Sequence, residues 1–166
     1  MFKIIKYCTI SGSMVQKLSY AQDELHPDCV ALKLALTEEI SGLCNSGVTN
    51  FFTNAEYGVP LWAAEVIVAM RGFRVTPPKI HIIVPYENQA VRWNEQIRER
   101  YYNIHESADT VTMLNSQYSD DCYDAADEFM IDNSVLLLTD GGNKYISDYA
   151  KKKNKQVAMV KSLITQ

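Results

Sequence analysis

Short runs of β-branched and aliphatic residues alternate with longer amphipathic stretches, and this alternation constrains the fold more than any other feature. The β-type runs are residues 3–11, 48–53, 79–86 (stopped by Pro85), 109–114, 134–140 and 156–160. Helical spacing or helix-start signals mark residues 26–44, 61–72, 90–104, 119–133 and 142–154. This alternation predicts the α/β class: a Rossmann-like, doubly wound, mostly parallel sheet with helices on both faces, in three layers. A length of 166 residues predicts one such domain over residues 1–166.

The overall composition excludes several classes of partner. A net charge of −4 gives no electrostatic footprint for nucleic acid or anionic lipid, so neither is expected as a partner. The basic run KKKNK at 151–155 is interpreted as a helix C-terminus, where positive charge meets the negative end of the helix dipole. No stretch is long and apolar enough to cross a membrane.

The cysteines indicate a reducing compartment. Cys8, Cys29, Cys44 and Cys122 form no C-x-x-C pair, so neither a zinc site nor a disulfide framework is predicted. Residues 1–14 do not resemble a signal peptide. We therefore expect a cytoplasmic protein. Because Rossmann-like domains of this size often self-associate through their helices, we also expect a homodimer.

Ligands of doubly wound folds bind outside the carboxyl ends of the strands, which makes five loops candidates. The loop after the first strand offers Ser11, Gly12 and Ser13, but the G-x-G-x-x-G fingerprint is absent. Pro85, Tyr86 and Glu87 follow the third strand, and Asn115 and Ser116 follow the fourth. The signal after the fifth strand is stronger, because two glycines there allow close backbone approach before a helix. That loop comprises Asp140, Gly141, Gly142 and Asn143.

The loop after the second strand raises a question of charge. Thr53 and Asn54 are hydrogen-bond donors, and Gly58 precedes a helix whose N-terminal amides could bind an anion. The negative charge of Glu56 would repel an anion bound there, unless its side chain points away or binds a ribose hydroxyl. Glu65 lies about two turns into the helix. It is either ordinary helix surface or a buried carboxylate that serves the pocket.

The remaining polar residues predict no metal or catalytic site. The acids Asp120, Asp121, Asp124, Asp127, Glu128 and Asp132 fit no calcium loop and are interpreted as solvated helix surface. Trp62 and His81 are predicted core residues. No histidine pairs with an evident serine or cysteine nucleophile, so no catalytic residue is assigned.

Read together, the loops resemble a known family. GVPLWAAE (58–65), PYENQAVRW (85–93), YSDDCYDAADEFMIDNS (118–134) and DGGNKYISDYAKKKNKQV (140–157) are similar to the YpsA-type branch of the SLOG superfamily. The superfamily also includes the DNA-processing protein A domain and the LOG proteins. The resemblance implies a Rossmann-like fold and a nucleotide or nucleotide-derived ligand at the strand ends. It implies no further cofactor and no secure enzymatic activity.

The chain departs from the family pattern in the loops that would form the pocket. The family's T-G-H-R-P is Ser11 to Val15 here, without the histidine and arginine. Its S-G-G-A-x-G-V-D is Thr53 to Pro60 here, without two glycines and the aspartate. An Arg-Asn pair becomes Ala126-Asp127, and two threonines become Asn143 and Ile146. Because charge-assisted bonds to phosphate are the stronger ones, we expect a less phosphorylated or different ligand.

Three classes of function follow. The first is a ligand-binding sensor or regulatory protein without catalytic activity, whose partner is a small nucleotide-like molecule. The second is a nucleotide-processing hydrolase of the LOG phosphoribohydrolase kind, for which Glu65 or Glu87 would have to supply the acid-base group. The third is a protein or single-strand nucleic-acid interaction module that uses the helix from Arg92 to Tyr102. There we favour inward packing of Trp93 and Tyr101, with the arginines exposed.

Overall fold

A computed structural model describes residues 5–160, which form one sheet with helices on both faces. The strands are β1 (Tyr7–Ser11), β2 (Asn50–Thr53), β3 (Lys79–Val84), β4 (Thr110–Met113), β5 (Leu136–Thr139) and β6 (Gln156–Met159). The α-helices are α1 (Pro27–Asn45), α2 (Val59–Met70), α3 (Glu95–Ser107), α4 (Cys122–Asp132) and α5 (Lys144–Lys152). The predicted Rossmann-like α/β class is confirmed.

The strand order places the functional edge of the sheet. All neighbouring strands are parallel, in the order β4-β3-β2-β1-β5-β6. The chain builds outward from β1 to β4 and then returns to add β5 on the other side of β1. The order therefore reverses between β1 and β5, where loops diverge and leave a crevice at the carboxyl ends.

Alternate strand residues face two separate apolar cores. On one face, Phe51, Ile82 and Leu138 pack with α1, α2 and α3. On the other face, Phe52, Ile83 and Leu137 pack with α4 and α5. This three-layer arrangement follows from the period-2 alternation of strand side chains.

Several local predictions are confirmed. Trp62 is 1% exposed, and both ring nitrogens of buried His81 are hydrogen-bonded, to Thr110 Oγ1 at 2.8 Å and Asn50 Oδ1 at 2.9 Å. The four cysteines are free and buried. Lys151 and Lys152 lie in the last turn of α5.

Some predicted boundaries are wrong, for local reasons. The predicted first strand began at residue 3, but residues 1–4 lie outside the described part, and β1 begins at Tyr7 because its pairing with β2 begins at Asn50. Helix α3 begins at Glu95 rather than near residue 90, because the Asn94 side chain accepts the N–H of Ile97 and caps it. Val91, which falls within the predicted helical range 90–104, consequently lies outside α3 and is exposed.

Two helix-end signals were also misread. Helix α2 does not end at Gly72: it ends at Met70 and continues as a 3-10 turn over Arg71–Phe73. The residue that precedes α4 is Asp121, not Ser119. The Ser119 hydroxyl donates to the Asp121 carboxylate at 2.8 Å, so it does not bond a helix amide.

Candidate functional site

Two adjoining cavities lie along the carboxyl edge of the sheet. The first, which we call the polar cavity, has a volume of about 170 Å³ and sits at the β1/β5 crevice. Its walls come from the loops after β1, β2 and β5 and from α4: Ser11, Gly12, Met14, Lys17, Asn54, Glu56, Pro60, Tyr123, Asp124, Asp127, Gly142 and Asn143. The second, the tyrosine cavity, has about 620 Å³ and includes Tyr86, Tyr118 and Tyr123. Glu56 and Tyr123 line both cavities.

The loops after β1 and β5 are tied together by one carboxylate. Asp140 Oδ1 accepts the N–H of Ser13 at 2.9 Å and the N–H of Gly142 at 3.0 Å. The N–H of Gly141 donates to Thr139 Oγ1 at 3.1 Å. Three backbone amides of these loops, those of Ser13, Gly141 and Gly142, are therefore already bonded within the chain.

The glycines of these loops serve loop-to-loop packing. A β-carbon at Gly142 would overlap the Ser13 side chain and lie 2.8 Å from its Cα. A β-carbon at Gly12 would overlap the carboxylate of Asp140. Gly58, with φ of 136°, lies against Ser13 and Met14. At all three positions the backbone packs too closely against another segment of this chain to leave room for a β-carbon.

The N-terminus of α2 is likewise closed to an anion. Val59 N–H donates to Ser13 O, Leu61 N–H to Glu56 O and Trp62 N–H to Gly58 O, each at 3.0 Å. Pro60 has no N–H. The free helix amides considered from the sequence are thus occupied, so the stretch from Thr53 to Gly58 is not an open anion cradle.

Glu56 is a buried carboxyl on the wall between the two cavities. Its Oε2 accepts Gln89 Nε2 and the Tyr123 hydroxyl, both at 2.8 Å. Gln89 in turn accepts the Tyr101 hydroxyl at 2.9 Å, which fixes its orientation. Burial raises the pKa of Glu56, while the bonds from Gln89 and Tyr123 oppose that rise.

Asp127 corrects the prediction of a solvated acidic surface. It is only 3% exposed and lines the polar cavity. Its Oδ2 accepts Asn143 Nδ2 at 3.0 Å, while Oδ1 is buried with no partner among the described residues. Burial raises the pKa of Asp127 to about 7, the bond from Asn143 opposes this, and Asp124 and Glu128 add to it.

The predicted site residues fall into three groups. Six line the polar cavity: Ser11, Gly12, Asn54, Glu56, Gly142 and Asn143. Tyr86 lines the tyrosine cavity. Six others lie at the end of β2 or in the loops and are absent from the described walls of both cavities: Ser13, Thr53, Gly58, Pro85, Asp140 and Gly141. For example, Thr53 Oγ1 donates to Pro60 O at 3.1 Å.

Glu65 lies away from both cavities, on the face of α2 that contacts α3. Its carboxylate is paired with Arg100 at 2.6 Å. Arg100 also binds Glu24 at 2.6 Å, so the expectation that the α3 arginines are exposed is wrong for this residue. Tyr101 packs inward, as predicted, and is 2% exposed. Arg100 on α3 therefore forms ion pairs within the chain.

The sequence analysis did not identify Lys17, Tyr123 and Gln89 as cavity residues, and it assigned Asp127 to the solvated surface. For Tyr123 and Asp127, the helical spacing of the sequence contained a usable signal. Tyr123, Asp127 and Ile131 recur every four residues, so they share one face of α4, and Ile131 is core. Within residues 5–160, no cluster of three potential metal ligands occurs. No helix of that part is long and apolar enough to cross a membrane.

Comparison with known proteins identifies the family. The YpsA model, described as "YspA SLOG family", matches residues 8–166. The chain belongs to the YpsA family of SLOG proteins. A UPF0398 protein of Halalkalibacterium halodurans is 29% identical over 97% of this chain and 88% of its own length. One from Bacillus cereus (strain B4264) is 30% identical, over 90% of this chain and 84% of its own length.

A solved structure supports the fold of this YpsA family member. The X-ray structure of TM1055 superposes with a TM-score of 0.55 at 13% identity, over 92% of this chain and 72% of the other. At that identity the likeness concerns the fold alone. The resemblance inferred from the loop motifs is confirmed.

Proposed function

We propose that this YpsA family member binds a nucleotide-derived small molecule at the carboxyl edge of its sheet and acts as a sensor or regulatory protein. The observation that carries the proposal is the pair of adjoining cavities along the carboxyl edge of the sheet, one of them at the β1/β5 crevice, where ligands of doubly wound folds bind. Family membership supports the nucleotide class. The tyrosine cavity offers aromatic faces for a base, and the polar cavity offers hydroxyl, amide and carboxyl groups.

A thermal-shift panel tests this proposal. It contains nucleosides, their mono-, di- and triphosphates, cyclic nucleotides, ADP-ribose, NAD and nucleotide sugars. A ligand at a hundred times its dissociation constant stabilises the protein by about 2.7 kcal/mol, which raises Tm by several degrees for a domain of this size. We expect at least one compound with few or no phosphates to produce such a shift.

Two matched variants locate the binding site. Asp124 lines the polar cavity, whereas Asp120 is exposed and absent from both cavity walls. Asp124→Tyr fills the mouth of the cavity, so we expect it to abolish the shift, and Asp120→Tyr to retain it. The absence of a shift with every compound, or an equal shift in Asp124→Tyr, would contradict the proposal.

A second candidate, a phosphoribohydrolase-like enzyme, is favoured by one observation. Two buried carboxyls with raised pKa values, Glu56 and Asp127, line the same cavity. Glycosidic hydrolysis commonly uses a pair of carboxyl groups as acid and base. They would replace Glu65 and Glu87 as candidate groups. Base release from nucleoside 5′-monophosphates, measured by chromatography, tests this. Release that disappears in Glu56→Gln favours the enzyme, and release no greater than in that variant favours the sensor.

A further inference from the structure

The polar cavity is lined by more acidic than basic side chains, which favours a ligand group that donates hydrogen bonds. Among the described residues its walls carry three carboxyl groups, from Glu56, Asp124 and Asp127, and one cation, Lys17. Lys17 Nζ is already 3.3 Å from the carbonyl of Gly142. A phosphate in this cavity would face more negative than positive charge, which costs free energy in a partly desolvated site.

Glu56 has one carboxylate oxygen in use and one available. Both its bonds from Gln89 and Tyr123 reach Oε2, and no hydrogen bond from the described residues reaches Oε1. The network fixes the carboxyl without using this acceptor. Because Glu56 lines both cavities, a group that spans them passes beside it.

Asp127 supplies the second acceptor. Its side chain is buried, its Oδ2 is bonded to Asn143, and its Oδ1 has no partner in the described part of the chain. A buried acceptor without a donor is costly. A ligand N–H that bonds Asp127 would remove that cost, so the carboxyl favours a donor over any anion.

We propose that Glu56 and Asp127 together receive a pair of N–H donors from an amidine- or guanidine-type group of the ligand. This inference rests on the proposed function, whose ligand class it narrows. The polar cavity, of about 170 Å³, accommodates such a small group, and the larger tyrosine cavity, of about 620 Å³, would hold the rest of the molecule. The faces of Tyr86 and Tyr118 are suited to stacking a planar ring. The same chemistry occurs in the N–H edge of guanine and in alkylguanidinium ions.

The test uses calorimetric titration at pH 8 with four probes. Guanosine and inosine differ by a single amino group, GTP adds phosphates to guanosine, and methylguanidinium carries the donors without a nucleoside. We expect guanosine to bind at least about tenfold more tightly than inosine, because a hydrogen bond to a charged group is lost. GTP should bind more weakly than guanosine.

Carboxamide variants separate charge from shape. Glu56→Gln and Asp127→Asn each replace an acceptor oxygen by a donor group. We therefore expect each variant to weaken the binding of guanosine by about tenfold or more. Asp120→Asn, the exposed control, should bind as the wild type does. Circular dichroism checks that each carboxamide variant folds. If either one fails to fold, the comparison of guanosine with inosine in the wild type still decides the test, because it needs no variant.

The outcomes distinguish this inference from the proposed function. Binding of methylguanidinium, lost in Asp127→Asn, without nucleoside binding supports the donor receptor and overturns the nucleotide ligand. Equal binding of guanosine and inosine, unchanged in both carboxamide variants, overturns the donor receptor and leaves the nucleotide ligand standing. Tighter binding of GTP than of guanosine, or binding of no probe, overturns the donor receptor.

Discussion

Asp140 Oδ1 accepts the backbone N–H of Ser13 at 2.9 Å and thereby joins the loop after β5 to the loop after β1. The same oxygen accepts the N–H of Gly142 within its own loop. In this way a carboxylate of the chain occupies two of the loop amides, those of Ser13 and Gly142. The crevice is consequently braced by an internal anion, and its remaining open surface is acidic.

Removal of this brace should lower stability. Asp140→Ala leaves two amides without their charged acceptor, and hydrogen bonds to charged groups contribute about 1.5–3 kcal/mol. We expect the free energy of unfolding in urea to fall by about that amount. Asp120→Ala, at an exposed position, should change it by less than about 0.5 kcal/mol. Similar values for the two variants would refute the bracing role.

The contact between Gly142 and Ser13 predicts a steric effect. Gly142→Ala places a β-carbon on the Ser13 side chain, and overpacking of this kind costs about 1–3 kcal/mol. Ser13→Gly in the same chain should recover part of the loss. Gly42→Ala on α1 is the control, because its β-carbon meets nothing within 4 Å. That control should be stabilising by about 0.5–1 kcal/mol. Thermal unfolding of the four proteins measures both effects.

Asp127 predicts a pH dependence of stability. Burial raises the pKa of Asp127 from its ordinary value of 3.8 to about 7 in the folded chain, so the folded state binds the proton of this carboxyl more tightly than the unfolded state. This contribution to stability is complete below about pH 4 and is lost as the pH rises to about 7. The free energy of unfolding of the wild type, minus that of Asp127→Asn, should fall by up to about 1.4 kcal/mol per pH unit in this window.

The control for this pH dependence is Asp120→Asn, whose difference from the wild type should be flat. Burial also raises the pKa of Glu56, in the same direction, but Glu56 is present in all three proteins. The charged groups Asp124 and Glu128, which raise the pKa of Asp127, are likewise unchanged. A flat difference for Asp127→Asn would show that its carboxyl ionises normally.

The ion pairs of Arg100 should support stability without affecting the site. Arg100 binds both Glu24 and Glu65, and these bonds hold the segment before α1 against α2 and α3. Arg100→Ala removes the ion-pair partner of Glu65 and leaves Glu24 with Lys33 as its partner, so we expect a loss of about 1–3 kcal/mol in urea unfolding. Ligand shifts in the thermal panel should persist, because Arg100 lines neither the polar nor the tyrosine cavity. Loss of those shifts in a folded variant would contradict this separation.

Most of the fold was predictable because it depends on local periodicity. Each β-type run and each amphipathic stretch corresponds to an observed strand or helix, and their alternation implied the parallel sheet. The errors lie at element ends, where a single side chain decides. The capping of α3 by Asn94 and the hydrogen bond of Ser119 with Asp121 are examples, since neither depends on apolar spacing.

The position of the cavities was partly predictable, and their chemistry was not. The candidate loops at the strand ends supply six of the twelve residues that line the polar cavity and three of the eleven that line the tyrosine cavity. Which side chains enter was set by packing: Glu65 lies on α2 yet turns to Arg100, and Asp127 turns inward with the core face of α4. A carboxylate in sequence carries no sign of which surface it will face.

The sequence by itself determined the class of fold and the family, because periodicity and motif order are local properties of the chain. Only the tertiary structure decided that the loop glycines contact protein and that Asp140 occupies the loop amides. The same holds for the two buried carboxyls of the polar cavity. These facts depend on distances between segments that lie far apart in sequence, which no single stretch encodes.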